Sequence, residues 1–444
     1  MVVTRPPRHG GGSVARRQPS GAEAPKPAMG SVLRQQPSGA IAPRPAVGPV
    51  LRRQPSGAVA PRPAVGSVLR RQPKFRADVI FRPRLRYPYM KTLIMWAAMA
   101  AVGCGMAGCD RGSELLVCGT YTGSGSFGVY SLRFDRGRLE VIDSVAAVNP
   151  SYIAVGEGGT MLYAVSENGE QSGVYSIEVD PATGRFGRCD FLPTDGADPC
   201  YLTVVGRQVV TADYSGGSLS FFEMDDSGRL LGCTRRDCFE GRGPDARRQA
   251  SSHVHCAVVS TDGRRLYAAD LGADRVYEYA LGGAEPSLCG ITALEPGFGP
   301  RMVAERGERV YVLGELSGRV AVFERADSGL QLVQTVVCDS LNERAAGDLH
   351  LSADGRFLYG STRRRGDGIR CFAVDAAGRL SNRGFTPTGA HPRNFLLTAG
   401  DHYVLVASRD TDSVEVYRRD AATGALTPTV GGAHIPRPVC LRRL

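Results

Sequence analysis

The chain has 444 residues, 42% hydrophobic and 22% charged, with a formal net charge of +10. That length supports a sizeable core and one to three domains, and the 56 glycines follow no collagen-like period, nor does any long heptad run occur. The charge is uneven: residues 1–89 hold 17 Lys/Arg against 2 Asp/Glu, leaving 37 against 42 in residues 90–444, so the body is no basic nucleic-acid-binding domain and no nucleic-acid partner is expected.

Residues 1–89 contain 15 of the 28 prolines and repeat every 18 residues. Gln18-Pro19-Ser20-Gly21-Ala22 returns at Gln36-Pro37-Ser38-Gly39-Ala40 and Gln54-Pro55-Ser56-Gly57-Ala58, then partly at Gln72-Pro73. A Pro- and Arg-rich tract of this kind buries too little apolar surface to offset chain entropy, and disorder is expected. It reads either as a basic interaction tail or as an upstream repeat translated from an overlong gene start. The next segment favours the second reading. Met90 and Lys91 open a positive n-region, Leu93 to Val102 is apolar, and Met106-Ala107-Gly108-Cys109 closes the run. This is the layout of a secretory signal over residues 90–109. It resembles a bacterial lipoprotein signal, which implies lipidation at Cys109. The apolar run is short of the ~20 residues a membrane span needs. Export is therefore expected, with a membrane held only through a lipid anchor and the protein facing the periplasm or cell surface. If Met90 is not used, the placement is cytoplasmic and the run is a buried helix.

From residue 114 the pattern is short alternating strands separated by Gly/Asp turns. A Tyr-rich strand recurs: Leu116-Val117-Cys118-Gly119-Thr120-Tyr121, Leu162-Tyr163-Ala164-Val165-Ser166-Glu167, Val209-Val210-Thr211-Ala212-Asp213-Tyr214, Leu266-Tyr267-Ala268-Ala269-Asp270-Leu271, and the runs ending at Glu315, Arg363 and Arg409. Each copy but the first follows an apolar strand, with turns such as Thr261-Asp262-Gly263 between them. The apolar strands begin at Pro150, Pro199, Val254, Pro300, Gly347 and Pro392, and a last one begins at Pro438. The first Tyr-type strand thus lacks a partner before it, and the last apolar strand lacks one after it. Together they make one blade. The expectation is an all-β, seven-bladed propeller over 114–444, closed by its C-terminal strand.

Gly119-Thr120-Tyr121-Thr122, Asn149-Pro150-Ser151-Tyr152, His253-Val254-His255, Asp270-Leu271-Gly272-Ala273-Asp274-Arg275-Val276, Gly299-Pro300-Arg301 and His391-Pro392-Arg393-Asn394-Phe395 resemble the seven-bladed lactonase family. That family includes propeller-type 6-phosphogluconolactonases and fungal carboxymuconate cyclases. The resemblance spans the body and implies a monomeric hydrolase acting on a sugar-acid lactone without a cofactor. Met302 stands where the family often has His. Gly314-Glu315 and Thr362-Arg363 stand where it often has Asn-Glu and Asn-Arg.

Because the first two strands of a blade are antiparallel, the start of one and the end of the other share a rim of the channel. One ring of positions is Ser151, Cys200, His255, Arg301, Asp348, Arg393 and Val439. The other is Tyr121, Glu167, Tyr214, Leu271, Glu315, Arg363 and Arg409. Ionisable residues in consecutive blades need partners, since unpaired charge in a narrow channel is costly. An ion pair such as Arg301 with Asp348 would satisfy that structurally. A site for a small anionic substrate would satisfy it functionally. Lactone hydrolysis needs a base for water, a donor for the oxyanion and an acid for the leaving alkoxide. His255 and Glu315 are the base and acid candidates and Arg301 the oxyanion candidate. His253, Asp348, Arg363 and Arg393 are expected to bind substrate. In a cyclase-like member the same groups would add a carboxylate to a double bond. A non-catalytic exported propeller holding an anion is the remaining alternative.

His253 and His255 have a spacing that can serve a metal, but no third His or Cys pair accompanies them and no metal is expected. The 12 cysteines follow no metal spacing. Most fall in strand patterns as buried thiols, and Cys233 with Cys238 is a disulfide candidate in an exported protein.

Overall fold

The computed structural model describes residues 113–123, 125–327 and 329–444; the expectations for the Pro/Arg-rich leader, the Met90 segment and Cys109 lie outside the described residues. The rest forms seven antiparallel sheets, each with a meander of four strands. The innermost strands are Pro438–Arg443, Ile153–Val155, Pro199–Val205, Val254–Val259, Pro300–Arg306, Ala346–Leu351 and Pro392–Leu397 for blades 1 to 7. Blade 1 is composite. Its inner strand Pro438–Arg443 pairs antiparallel with Glu114–Thr120, so the last strand closes the ring as the repeat offset requires.

The burial pattern explains the composition. The second strand of each blade is sandwiched between neighbouring blades, and Met161–Ser166 and Phe357–Thr362 are buried throughout. A strand covered on both faces reads as a continuous apolar run. The outermost strands, such as Arg138–Ala146, alternate with solvent.

The recurring tyrosine has a specific task. Tyr163 Oη donates to the Gly228 carbonyl at 2.5 Å, Tyr311 Oη to Gly378 at 3.0 Å and Tyr359 Oη to Gly424 at 2.8 Å. Each acceptor lies in the outer hairpin of the next blade, at a positive φ of 83°, 73° and 77°, a conformation natural to glycine. The ring supplies apolar contact and the hydroxyl ties blade to blade.

Cys233 and Cys238 are both free, on the single strand Leu230–Cys238. Five residues of extended chain separate them by roughly 16 Å, far beyond disulfide reach. The expected bridge is therefore corrected. Of the other described cysteines, Cys118, Cys200, Cys256, Cys338, Cys371 and Cys440 are buried thiols.

Candidate active site

One backbone device builds the rim. In five blades a residue with positive φ precedes a proline: Asn149 (44°), Asp198 (51°), Gly299 (61°), His391 (60°) and Arg437 (48°). The residue after that proline is Ser151, Cys200, Arg301, Arg393 or Val439. The carbonyl before the proline accepts the N–H of the residue ending the second strand: Glu167 to Asn149 at 3.2 Å, Tyr214 to Asp198 at 3.0 Å, Glu315 to Gly299 at 2.8 Å, Arg409 to His391 and Tyr121 to Arg437 both at 3.1 Å. In blade 4, Leu271 N–H reaches His253 in the same way at 2.9 Å. The ladder then skips one residue, and the register breaks at Pro199/Tyr201, Val254/Cys256, Pro300/Met302 and Pro392/Asn394. A bulged residue leaves the ladder and is re-aimed. Here it is aimed at the axis. All seven residues of the first ring line one central cavity.

At that cavity the structure joins three expected residues. Arg301 Nη1 contacts both His255 Nε2 and Glu315 Oε2, the latter at 2.6 Å. Arg301 Nε donates to the Gly347 carbonyl at 2.6 Å. Arg363 Nη2 lies 3.2 Å from Glu315 Oε2. Arg363 also donates to the Ala345 and Ala346 carbonyls at 2.8 and 2.9 Å. A further member, Arg248, comes from the long irregular segment between blades 3 and 4. Its Nη2 lies 2.8 Å from Glu315 Oε1 and 3.1 Å from Tyr214 Oη. Sequence reasoning missed Arg248, because no strand pattern marks its position. Arg393 lies across the opening, 5.1 Å above the Tyr121 ring and 4.0 Å from Glu167. Tyr121 Oη donates to Glu167 at 2.7 Å.

These contacts set the charges. Burial alone would raise the Glu315 pKa, yet Arg301, Arg363 and Arg248 hold it well below the usual carboxylate range. Burial, then the Arg301 charge, push His255 well below an ordinary imidazole, so it is neutral. Burial and Arg301 pull Arg363 down to about 9. Glu315 is thus held ionised among three guanidiniums, an arrangement in which it anchors the cluster.

Two other expected substrate-binding residues have protein partners. Asp348 lines the cavity, but its carboxylate accepts His350 Nε2 at 2.8 Å, the Phe395 N–H at 3.3 Å and the Asn394 amide. Asn394 in turn accepts the Leu441 N–H at 2.6 Å. Asp348 thus ties blades 6, 7 and 1 together from its place in the cavity wall, and Arg301 pairs with Glu315 and not with Asp348. His253 lies outside the cavity lining. Its Nδ1 donates to the Tyr214 carbonyl at 2.8 Å and its ring stacks on Tyr214 at 4.6 Å.

The mouth is electropositive. Arg248, Arg301, Arg363, Arg393, Arg409 and Arg437 gather there, with ion pairs to Glu167, Glu315 and Asp410. His391 sits between two of the guanidiniums, 3.3 Å from Arg363 and 3.2 Å from Arg409. Burial and these two charges push its pKa down to about 2. A larger groove of 720 Å³ opens by the turn at Val205–Gln208, at the opposite end of the blade 3 strands. Its one arginine, Arg207, is paired with Asp226 at 2.6 Å, and it gathers no comparable set of groups.

Residues 115–443 match the family model described as lactonase, 7-bladed beta-propeller. The chain belongs to that family. A 6-phosphogluconolactonase of Bacillus subtilis is 29% identical over 340 residues, covering 73% of this chain and 97% of that one. The crystal structure of a candidate 6-phosphogluconolactonase from Bacteroides uniformis is 38% identical with a TM-score of 0.73, covering 75% of this chain and all of the other. A periplasmic gluconolactonase of Pseudomonas aeruginosa is 31% identical with a TM-score of 0.69, covering 75% and 99%.

Proposed function

We propose that the propeller hydrolyses a lactone of a sugar acid. The observation that carries the reading is the buried His255–Arg301–Glu315 chain at the channel mouth in a member of the lactonase family. The central cavity measures 20 Å³, water-sized and not sugar-sized. The lactone therefore sits above the ring, among Tyr121, Glu167, Tyr214, Arg248 and Arg393. Its carbonyl oxygen takes the Arg301 N–H that otherwise faces His255, and negative charge growing there is met by a preformed cation. That exchange frees the Nε2 lone pair to take a proton from water. The resulting imidazolium lies beside ionised Glu315 and returns the proton to the leaving alkoxide. Arg393 and Arg409 hold the anionic tail by guanidinium forks.

Purified protein should release acid from a panel of sugar-acid lactones, phosphorylated and not, followed at constant pH. Arg393→Ala should raise KM about 10-fold or more with kcat nearly kept, the signature of lost ground-state binding. Met302, buried at the cavity where the family often has His, favours a second reading in which the same mouth binds an anion without turnover. Binding of sugar acids with no hydrolysis of any lactone would select that reading. We also infer export, from the Met90 signal layout; cell fractionation that finds the protein only in the cytoplasm would refute it.

A further inference from the structure

Cys200 occupies the first ring in blade 3, next to His255 in blade 4. Its Sγ is 3.6 Å from His255 Nδ1 and 3.5 Å from the His255 carbonyl oxygen. The buried imidazole is neutral and carries one N–H. Its Nε2 faces Arg301 Nη1, a group that only donates. Nε2 must then be the bare nitrogen, and Nδ1 carries the hydrogen. Cys200 Sγ is the side-chain acceptor placed for that hydrogen among the described residues, and the His255 carbonyl itself lies within reach of the ring as a backbone acceptor. The thiol hydrogen has its own acceptor in the His255 carbonyl. All three bonds run in one direction: Arg301 to Nε2, Nδ1 to Sγ, and Sγ to the carbonyl. Reversing the tautomer would set two N–H groups head to head. Burial raises the Cys200 thiol well above its ordinary pKa, so it remains a thiol.

We propose that Cys200 is a positioning residue that, together with the Arg301 donor on Nε2, fixes His255 in its Nδ1–H tautomer and keeps the Nε2 lone pair directed at the reacting water once the Arg301 N–H turns to the lactone. The tautomer stands on geometry alone; its use in turnover rests on the lactone-hydrolysing reading. A second, orienting partner on the far nitrogen is a common device for fixing a histidine.

The test is long-range ¹H–¹⁵N NMR of the histidine-labelled full chain, with His255 assigned through His255→Gln. Wild-type protein should show a protonated Nδ1 and a bare Nε2. Arg301 still faces Nε2 in Cys200→Ala, so that variant should shift to a mixture with the Nε2–H form, and Cys200→Ser, which still accepts and donates, should keep the wild-type state. On an active lactone, Cys200→Ala should lower kcat about 10-fold with KM little changed, and Cys200→Ser should recover most of it. A protonated Nε2 in the wild type overturns the proposal without any variant. So does an unchanged tautomer in folded Cys200→Ala. A Cys200-dependent tautomer in a protein that hydrolyses no lactone leaves the positioning intact and removes only the catalytic reading. Hydrolysis with a tautomer indifferent to Cys200 does the reverse.

Discussion

Replacing Glu315 with Gln keeps the shape of the side chain and removes one negative charge from among three guanidiniums. The side chain is 5% exposed and its ion pairs to Arg301 and Arg248 measure 2.6 and 2.8 Å, so solvent screens the loss poorly. Removing one partner of a buried ion pair typically costs about 3–5 kcal/mol. For the 115–443 propeller, an unfolding entropy of roughly 2.1 cal/mol/K per residue turns that into a fall in Tm of about 4–7 °C. The pH dependence has a definite sign. Glu315 titrates below its unfolded value, so its contribution is present above about pH 4.5 and is lost as pH falls through its folded pKa. Glu315→Gln should therefore destabilise at pH 7 and lie closer to wild type in acid. Turnover should fall ~10²-fold through misplaced arginines, and added phosphate should raise the Tm of the variant more than that of the wild type. Thermal unfolding from pH 3 to 8, with kcat measured in parallel, decides the matter. A Tm within about 1 °C of wild type, joined to loss of one limb of the pH–rate profile, would show a titrating acid and refute the anchor.

Asp213 behaves in the opposite sense. Burial raises it to about 6 against the opposing hydrogen bonds of Ser220, Thr211 and Ser218. Its contribution is present below about pH 4 and is lost as pH rises to about 6, a penalty of about 3 kcal/mol at neutral pH. Asp213→Asn should flatten the urea midpoint between pH 4 and 7; an unchanged slope would mean that the carboxylate is already ionised at pH 5. Deleting residues 437–444 removes Val439, Cys440 and Leu441, which are at most 2% exposed. At roughly 1.5–3 kcal/mol for each large apolar side chain, and with the ring opened, the truncated protein should lose more than about 5 kcal/mol. An unchanged Tm would mean that the C-terminal strand does not close the disc.

The fold was legible because its signals are local and repeated. A Tyr-bearing apolar strand, a Gly or Asp turn and an unmatched strand at each end leave little choice but a closed ring, and the interblade hydroxyl bonds of Tyr163, Tyr311 and Tyr359 show what the tyrosine is for. The first ring was legible for the same reason, since five of its seven members follow one turn and proline motif and the other two, His255 and Asp348, open strands at the same place in the repeat. Side-chain partnership was not legible. Arg248, Arg301 and Arg363 lie in three separate segments, and nothing in their spacing reveals that all converge on Glu315. Asp348 occupies a ring position like its neighbours, but the Asn394 and Phe395 donors turn its carboxylate into the blade interface. Ring position follows from the backbone, whereas ionisation and partner choice follow from long-range contacts.

The bulge that recurs around the axis offers a physical basis for placing chemistry on one side of a symmetric fold. Its geometry depends on main-chain bonds, joined in five blades by a proline, and not on the side chain it presents. Each blade can then offer a different group at the same height. Blades 4 to 7 offer His255, Arg301, Asp348 and Arg393, while blades 1 to 3 offer Val439, Ser151 and Cys200. The first ring therefore carries both of its arginines on one half and none on the other. A lactone has the same asymmetry, with a polar acyl group at one edge and a ring carrying C–H surface behind it. On the proposed reading its carbonyl would be drawn to the arginine side, where a cation already stands against a buried carboxylate, and its ring would be left over Tyr121 and Tyr214. Orientation thus comes from the difference between the two halves of one ring of equivalent positions, and exchanging a single bulge residue can alter substrate choice without disturbing the strands that hold it.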